Sequence, residues 1–235
     1  GEGTSYANLK GTVILNAEEY GVGFRQGSDL VAELNAFFDE CAANGKMDEI
    51  AKKYPDKLAM LWLSKDKKER RFTFGDMSRY SSQTANYFES LGIKRGDKVM
   101  LVLKRHYQFW LSILALHKIG AVVIPATHQL VEHDFEYRFN AADVKAIICT
   151  TDDNTPQHVE NVVPTSPSLK IKVAVGSGER PEGWHDFNKE VKNFDFTYER
   201  QEDAACGNDT MLMFFTSGTT GYPKIAMHSF TYPLG

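Results

Sequence analysis

Apolar runs alternate with segments of helical periodicity through most of this chain. A continuous apolar run, unlike an alternating one, is typical of a parallel strand buried on both faces. Four such runs predict strands at residues 99–103, 121–125, 146–149 and 211–215. Between them, apolar side chains recur at helical spacing, most clearly at residues 107–118. Strands that alternate with helices predict an α/β fold with a parallel sheet and right-handed crossover helices.

Shorter elements surround this alternation. Residues 58–63 and 71–74 predict a hairpin closed by a charged turn, and a helix is predicted to follow at residues 75–91. Residues 196–209 are polar and acidic, which is typical of an exposed connection. The remaining predicted elements are three helices and one strand, at residues 134–140, 156–162, 187–191 and 172–175, respectively.

The first 54 residues carry a different pattern. Two short strands are predicted at residues 12–15 and 20–24, and Ser28 is suited to cap a helix. That helix has one apolar face, formed by Leu30, Leu34, Phe37, Phe38 and Cys41. A second helix is predicted at residues 47–54. Together these elements predict a short α/β segment ahead of the parallel sheet.

A loop rich in hydroxyl groups and glycine follows the last apolar run. Its residues are Thr216, Ser217, Gly218, Thr219, Thr220, Gly221, Tyr222, Pro223 and Lys224. Glycine lets a backbone fold tightly and approach a ligand, and successive N–H groups can form an anion-binding concavity. The hydroxyl groups add donors, and Lys224 adds a mobile positive charge suited to phosphate. The loop therefore predicts a binding site for the phosphates of a nucleotide.

A surface turn and a Walker A loop are the two other interpretations of this loop. A plain surface turn is the first, because Gly, Ser, Thr and Pro are common turn residues. A Walker A loop is excluded, because Gly218 and Gly221 are too close together and Ile225 follows the lysine. The order of residues instead resembles, at every position, the T-S-G-T-T-G-x-P-K signature of the adenylate-forming superfamily. That superfamily contains acyl-CoA synthetases, luciferases and peptide adenylation domains, and the resemblance implies that the loop holds the β and γ phosphates of ATP.

Two stretches resemble the medium-chain acyl-CoA synthetases more closely, A-L-H-K-I-G-A-V-V-I-P-A-T at residues 115–127 and F-F-T-S-G-T-T-G-Y-P-K-I-A-M-H-S at residues 214–229. The resemblance implies that a fatty carboxylate attacks Mg-ATP, giving an acyl-adenylate and pyrophosphate. Coenzyme A then displaces AMP to form a thioester. ATP, Mg²⁺ and coenzyme A are thus the implied cofactors, and a small-molecule carboxylate is the implied substrate.

The resemblance also implies what this chain lacks. The family's catalytic lysine, its ribose-binding acid and most of its acyl pocket would lie beyond Gly235, so the catalytic residues stay unknown. We therefore expect an incomplete N-terminal domain of an adenylate-forming enzyme that is inactive by itself.

Residues 17–54 resemble a different family, the C-terminal end of amino-acid-type periplasmic solute-binding proteins, through E-x-Y-G-V-G-F-R-x-G-S-D-L and N-G-K-M-D-E-I. This resemblance divides the chain into a solute-binding-like segment, residues 1–46, and a truncated AMP-binding domain, residues 47–235. A fusion or relic carrying part of a transporter's binding protein is the alternative to a plain synthetase. An ordinary strand and two helices, or a plain α/β interaction fragment, also remain open.

Charge and composition exclude several functions. The net charge of −4 gives no reason to expect nucleic acid or an anionic membrane as a partner. No apolar run of about 18 residues is present that could span a membrane. Three scattered cysteines, Cys41, Cys149 and Cys206, favour reduced thiols and a cytoplasmic location. The seven histidines show no metal-binding spacing, so no metal site is predicted.

Three other groups are expected to be solvated and to lie outside the site. His228 follows the phosphate loop closely, but an exposed histidine explains it better than a ligand contact. The basic tract at residues 65–71 is interrupted by acidic residues, which favours a solvated hairpin over a nucleic-acid surface. The tripeptide Lys104-Arg105-His106 is interpreted in the same way.

Overall fold

The computed structural model describes residues 53–64, 66–216 and 222–232, and the backbone of two strands nearer the start of the chain. Those strands, β1 (Leu9–Thr12) and β2 (Gly23–Arg25), pair antiparallel. Both are displaced from the predicted positions, because the pairing of Thr12 with Gly23 sets where each strand lies. The helix predicted after Ser28, nearly all of the second helix and most of the stretch that resembles a solute-binding protein lie outside the described residues.

A hairpin and a long helix come next. β3 (Leu58–Leu63) pairs antiparallel with β4 (Glu69–Thr73). β4 begins two residues before the predicted strand, because Glu69 is the register partner of Leu63 across the hairpin. α1 (Phe74–Ser90) follows directly, and a capping box at Thr73 fixes its start.

The alternation of strands and helices is confirmed. In chain order it comprises β5 (Lys98–Val102), α2 (Gln108–Ile119), β6 (Val122–Pro125), α3 (Glu132–Ala142), β7 (Val144–Thr150), α4 (Thr155–Val162), β8 (Ile171–Val175), β9 (His185–Asp186), α5 (Phe187–Glu190), β10 (Thr210–Thr216) and β11 (Lys224–Ser229). α3 begins two residues before its predicted start, at a turn where the Asp134 carboxylate accepts a hydrogen bond from the Val131 N–H. β9 and β11 have no counterpart in the sequence-based expectation.

Seven of these strands form one mostly parallel sheet, in the order β11-β10-β6-β5-β7-β8-β9. The pairs from β10 through β9 are parallel, and only β11 runs antiparallel, against β10. The α/β fold with a parallel sheet is therefore confirmed.

Both faces of the sheet are covered, as continuous apolar strands require. In β5, Val99 and Leu101 face one core with residues of α1 and α2, whereas Met100 and Val102 face a second core. The second core also contains Phe135 and other apolar residues of α3 and α4. The sheet is thus a rigid central layer between two helical layers.

The parallel strands share one carboxyl-terminal edge. In open α/β sheets, ligands bind in the crevice outside this edge. β10 runs parallel to β6, with Leu212 opposite Val123, so β10 ends at the same edge as its parallel neighbours. The loop that leaves Thr216 therefore starts where this architecture places binding sites.

Candidate phosphate-binding site

β10 and β11 hold the two ends of the predicted phosphate loop side by side. Thr216 and Lys224 are register partners in the antiparallel ladder, and the Thr216 hydroxyl donates to the Lys224 carbonyl oxygen over 3.4 Å. The candidates Ser217, Gly218, Thr219, Thr220 and Gly221 lie outside the described residues. Thr216, Tyr222, Pro223 and Lys224 are described, and they mark the two points where this segment leaves and rejoins the sheet.

Lys224 has the exposure that a phosphate-binding lysine needs. It is the first residue of β11 and is exposed, as is Tyr222 two positions earlier. Within the described part of the chain, Lys224 forms no salt bridge with an acidic side chain. Its positive charge therefore stands at the edge of the sheet beside the loop.

Helix α3 contacts both ends of the loop. The Tyr137 hydroxyl donates to the Pro223 carbonyl oxygen at 2.8 Å, and the Tyr137 ring stacks on Tyr222 with centroids 4.7 Å apart. The next residue, Arg138, places its guanidinium over the Phe215 ring, 5.3 Å from the centroid. These contacts join the loop ends to the helical layer.

Arg138 is itself held by Asp134, one helical turn earlier. The two side chains form a 3.0 Å ion pair. Burial opposes ionisation of the Asp134 carboxyl, but hydrogen bonds from the Val131 N–H and Arg138 outweigh it and hold the pKa of Asp134 below its ordinary value. The carboxylate is therefore charged at neutral pH and fixes the guanidinium against Phe215.

His228 is half-buried, so the expectation that it is solvated is wrong. Its ring packs against Phe214, with centroids 5.5 Å apart, and against Tyr232 at 4.1 Å. Register places His228 opposite Leu212, four residues before Thr216 and therefore about 13 Å along the strand from the loop. Aromatic packing, rather than phosphate contact, accounts for this histidine.

In the tripeptide Lys104-Arg105-His106, the first two residues are exposed, as expected, whereas His106 is half-buried. Lys104 forms a 2.6 Å ion pair with Asp153, and His106 Nε2 lies 2.8 Å from the Thr150 hydroxyl. Burial opposes ionisation of Asp153, but hydrogen bonds from Lys104 and Thr155 lower the pKa of its carboxyl. These two contacts link the segment after β5 to the carboxyl-terminal end of β7 and the residues that follow it. Their role is therefore to stabilise the fold.

The described residues offer neither a metal centre nor a membrane span. They contain no cluster of His, Cys, Asp and Glu side chains arranged to hold a metal ion. In the same ranges, no helix combines the length and apolar character needed to cross a bilayer. Cys149 and Cys206 are free thiols, and burial raises the pKa of Cys149 well above its ordinary value.

Comparison with known proteins identifies the family. A family model described as AMP-binding enzyme matches residues 47–234. The chain belongs to the AMP-binding enzyme family. Rat acyl-coenzyme A synthetase ACSM5, mitochondrial, is 37% identical over 183 residues, which cover 77% of this chain and 31% of that protein. Human ACSM2A is 34% identical over 186 residues, covering 79% of this chain and 31% of that protein.

Solved structures of AMP-binding enzymes share the fold. A Brucella canis acyl-CoA synthetase superposes with a TM-score of 0.64 at 25% identity, covering 74% of this chain and 31% of that one. The anthranilate CoA ligase AuaEII, solved with anthranoyl-AMP, gives a TM-score of 0.67 at 24% identity over 78% of this chain and 34% of that one. The chain thus spans about a third of the length of the relatives it matches.

Sequence reasoning missed the helix side of the site. Tyr137 and Arg138 lie inside the helix predicted at residues 134–140. The sequence pattern there indicates a helix and no further role for these two residues. Their contacts to Pro223 and Phe215 join positions 86 and 77 residues apart in sequence, and no spacing rule encodes such distances. The adjacent pair of an aromatic and a cationic residue was the only signal available.

Proposed function

We propose that this chain supplies the phosphate-binding part of an AMP-forming acyl-CoA synthetase. In the proposed reaction, a fatty carboxylate oxygen attacks the α phosphorus of ATP, and pyrophosphate leaves with the electron pair of the broken P–O bond. The thiol of coenzyme A then attacks the acyl carbon of the adenylate, and AMP leaves as the thioester forms. Membership of the AMP-binding enzyme family and the ACSM relatives support this proposal.

The role of this chain is to hold the β and γ phosphates while charge develops on the leaving pyrophosphate. Backbone N–H groups and hydroxyl groups of residues 216–221 would donate to phosphate oxygens, and Lys224 would neutralise part of their charge. Fixed donors aimed at developing charge stabilise the transition state more than the ground state. Mg²⁺ would arrive with the nucleotide and share the same phosphate charge.

One observation carries the proposal. The loop with the superfamily signature joins two paired strands, and it starts at the carboxyl-terminal edge of a parallel sheet. This edge is where open α/β sheets bind their ligands, so a nucleotide loop is expected there. The exposed Lys224 at the end of the loop has the charge that the leaving pyrophosphate requires.

The chain alone is proposed to be inactive. The loop would provide contacts to phosphates only, and water screens charge at an exposed site. Affinity for Mg-ATP would then be in the millimolar range, about −4 kcal/mol. The cytoplasmic location inferred from the cysteines stays a prediction, as does the alternative of a fusion with a solute-binding protein.

The test is ATP–pyrophosphate exchange by the complete protein that contains this chain, measured with acetate, octanoate, palmitate and benzoate. Exchange that depends on one of these carboxylates, followed by thioester formation when coenzyme A is added, is the expected result. Exchange that depends on an amino acid, or absence of exchange with every carboxylate, would contradict the proposal.

A further inference from the structure

We infer that Tyr137 is a positioning residue for the phosphate loop, acting with Arg138 as a clamp between helix α3 and the two ends of that loop. The inference rests on the proposed function, in which the loop holds the phosphates of ATP. We call Tyr137, Arg138 and their contacts to Phe215, Tyr222 and Pro223 the α3 clamp.

The first part of the α3 clamp is a hydrogen bond to the far end of the loop. The Tyr137 hydroxyl donates to the Pro223 carbonyl oxygen at 2.8 Å. Pro223 immediately precedes Lys224, the residue with which the β10–β11 ladder begins at this end. The bond therefore fixes the orientation of the peptide group from which the Lys224 backbone starts.

The second part is a ring stack that burial does not explain. Tyr137 and Tyr222 lie with centroids 4.7 Å apart and planes only 22° from parallel. Tyr222 nevertheless stays 72% exposed, so little apolar area is removed from water. A stack on an exposed ring restricts the direction of the chain at Tyr222 more than it adds to a core.

The third part holds the near end of the loop from the same helical turn. Tyr137 meets Phe215 edge to face at 6.2 Å, and the Arg138 guanidinium lies 5.3 Å above that ring. Phe215 directly precedes Thr216 in β10. One turn of α3 therefore touches both the strand that enters the loop and the segment that leaves it.

Anchoring of its two ends would limit the arrangements that the donors of the loop can take before ATP binds. Misplacement of catalytic groups by about 1 Å can lower a rate by two orders of magnitude. Loss of the Tyr137 hydroxyl would release the peptide group before Lys224 while the ring stack remains. The rate of the chemical step should then fall more than ATP binding, because fixed donors favour the transition state.

The first experiment measures the α3 clamp without nucleotide. In Tyr137→Phe, hydrogen–deuterium exchange of the amides of residues 224–226 should become about ten-fold faster, while the urea midpoint of the whole chain stays unchanged. Tyr198→Phe is the matched control, because it removes a hydroxyl that donates to Glu89 at the same 2.8 Å, away from the loop. Equal exchange at residues 224–226 in Tyr137→Phe and wild type would overturn the inference.

The second experiment measures its consequence in the complete protein. Tyr137→Phe should lower kcat for ATP–pyrophosphate exchange about ten-fold and leave KM for ATP within about two-fold of wild type. Tyr198→Phe should leave both constants unchanged. A wild-type kcat in Tyr137→Phe would overturn the positioning role.

The two experiments separate failure of this inference from failure of the proposed function. Faster amide exchange in Tyr137→Phe, together with a wild-type protein that is inactive with every carboxylate, would retain the contacts and reject the synthetase. Unchanged amide exchange in an active synthetase would do the reverse.

Discussion

His117 is a histidine on α2 whose position disfavours its charged form. Its Nε2 atom is buried without a hydrogen-bond partner among the described residues, and its ring lies edge to face with Phe230. Burial lowers the pKa of His117 from 6.5 to about 4. The imidazole is therefore neutral in the folded protein at pH 7.

We predict that this histidine makes the chain less stable in mild acid. Between pH 6.5 and pH 4 the unfolded state binds a proton that the folded state does not, so the free energy of unfolding falls as pH falls through this window. The loss between pH 7 and pH 5 should be about 2 kcal/mol. Urea unfolding of wild type and His117→Gln at both pH values measures it.

The variant should lose this part of the pH dependence whatever its stability at pH 7. His133→Gln is the control, because the His133 side chain is 81% exposed. An unchanged difference between pH 7 and pH 5 in His117→Gln would show that His117 is protonated as easily in the folded chain as in the unfolded one.

At the residue scale, the sequence predicts which residues can bind a ligand better than it predicts the contacts that each side chain makes in the fold. The signature loop could be located because its residues are contiguous and their order is specific. The aromatic packing of His228 and the ion pair of Lys104 could not be predicted, because both depend on segments that the fold brings together. The contact between Tyr137 and Pro223 was hidden for the same reason.

Helix α1 depends on a defined start. The Thr73 hydroxyl accepts from the Asp76 N–H at 3.1 Å, and the Asp76 carboxylate accepts from the Thr73 N–H at 3.0 Å. This reciprocal pair satisfies two backbone donors that the first helical turn leaves without partners. α1 in turn packs residues such as Tyr87 and Phe88 into the first core.

We predict that Thr73→Ala lowers the free energy of unfolding by about 1 kcal/mol. The physical reason is loss of the side-chain acceptor for the Asp76 N–H. Thr73→Ser keeps that acceptor and should restore most of the stability, measured by urea unfolding at pH 7. Equal losses in the two variants would assign the effect to packing of the threonine methyl group instead of the cap.

At the element scale, the four apolar runs led to β5, β6, β7 and β10, because burial on both faces demands continuous apolar sequence. β11 was not predicted, although it completes the hairpin around the loop. Lys224 and Met227 are exposed in this strand and its other residues are half-buried, so no apolar run marks it. Pairing with β10, rather than its own composition, makes this segment a strand.

At the scale of the whole molecule, the sequence indicates a division of the chain near residue 47. We propose that residues 1–46 are not part of the synthetase core, because their pattern of apolar and polar residues differs from that of the strands and helices that follow. Deleting them from the complete protein should leave ATP–pyrophosphate exchange within a few-fold of wild type. Failure of the shortened protein to fold, judged by circular dichroism, would mean that the segment belongs to the core.

We propose that the loop between β10 and β11 stabilises the pyrophosphate that leaves during adenylation. The most direct test is ATP–pyrophosphate exchange by the complete protein with Lys224→Ala. Loss of one fixed donor to the developing charge should lower the rate by roughly 10²–10³-fold, or about 2.7–4 kcal/mol in transition-state free energy.

Lys192→Ala is the control for that measurement. Lys192 is also exposed, but it follows α5. This helix comes directly after β9, the strand at the opposite edge of the sheet from β11. We expect exchange at the wild-type rate in Lys192→Ala and a loss of roughly 10²–10³-fold in Lys224→Ala. Exchange at the wild-type rate in Lys224→Ala would contradict it.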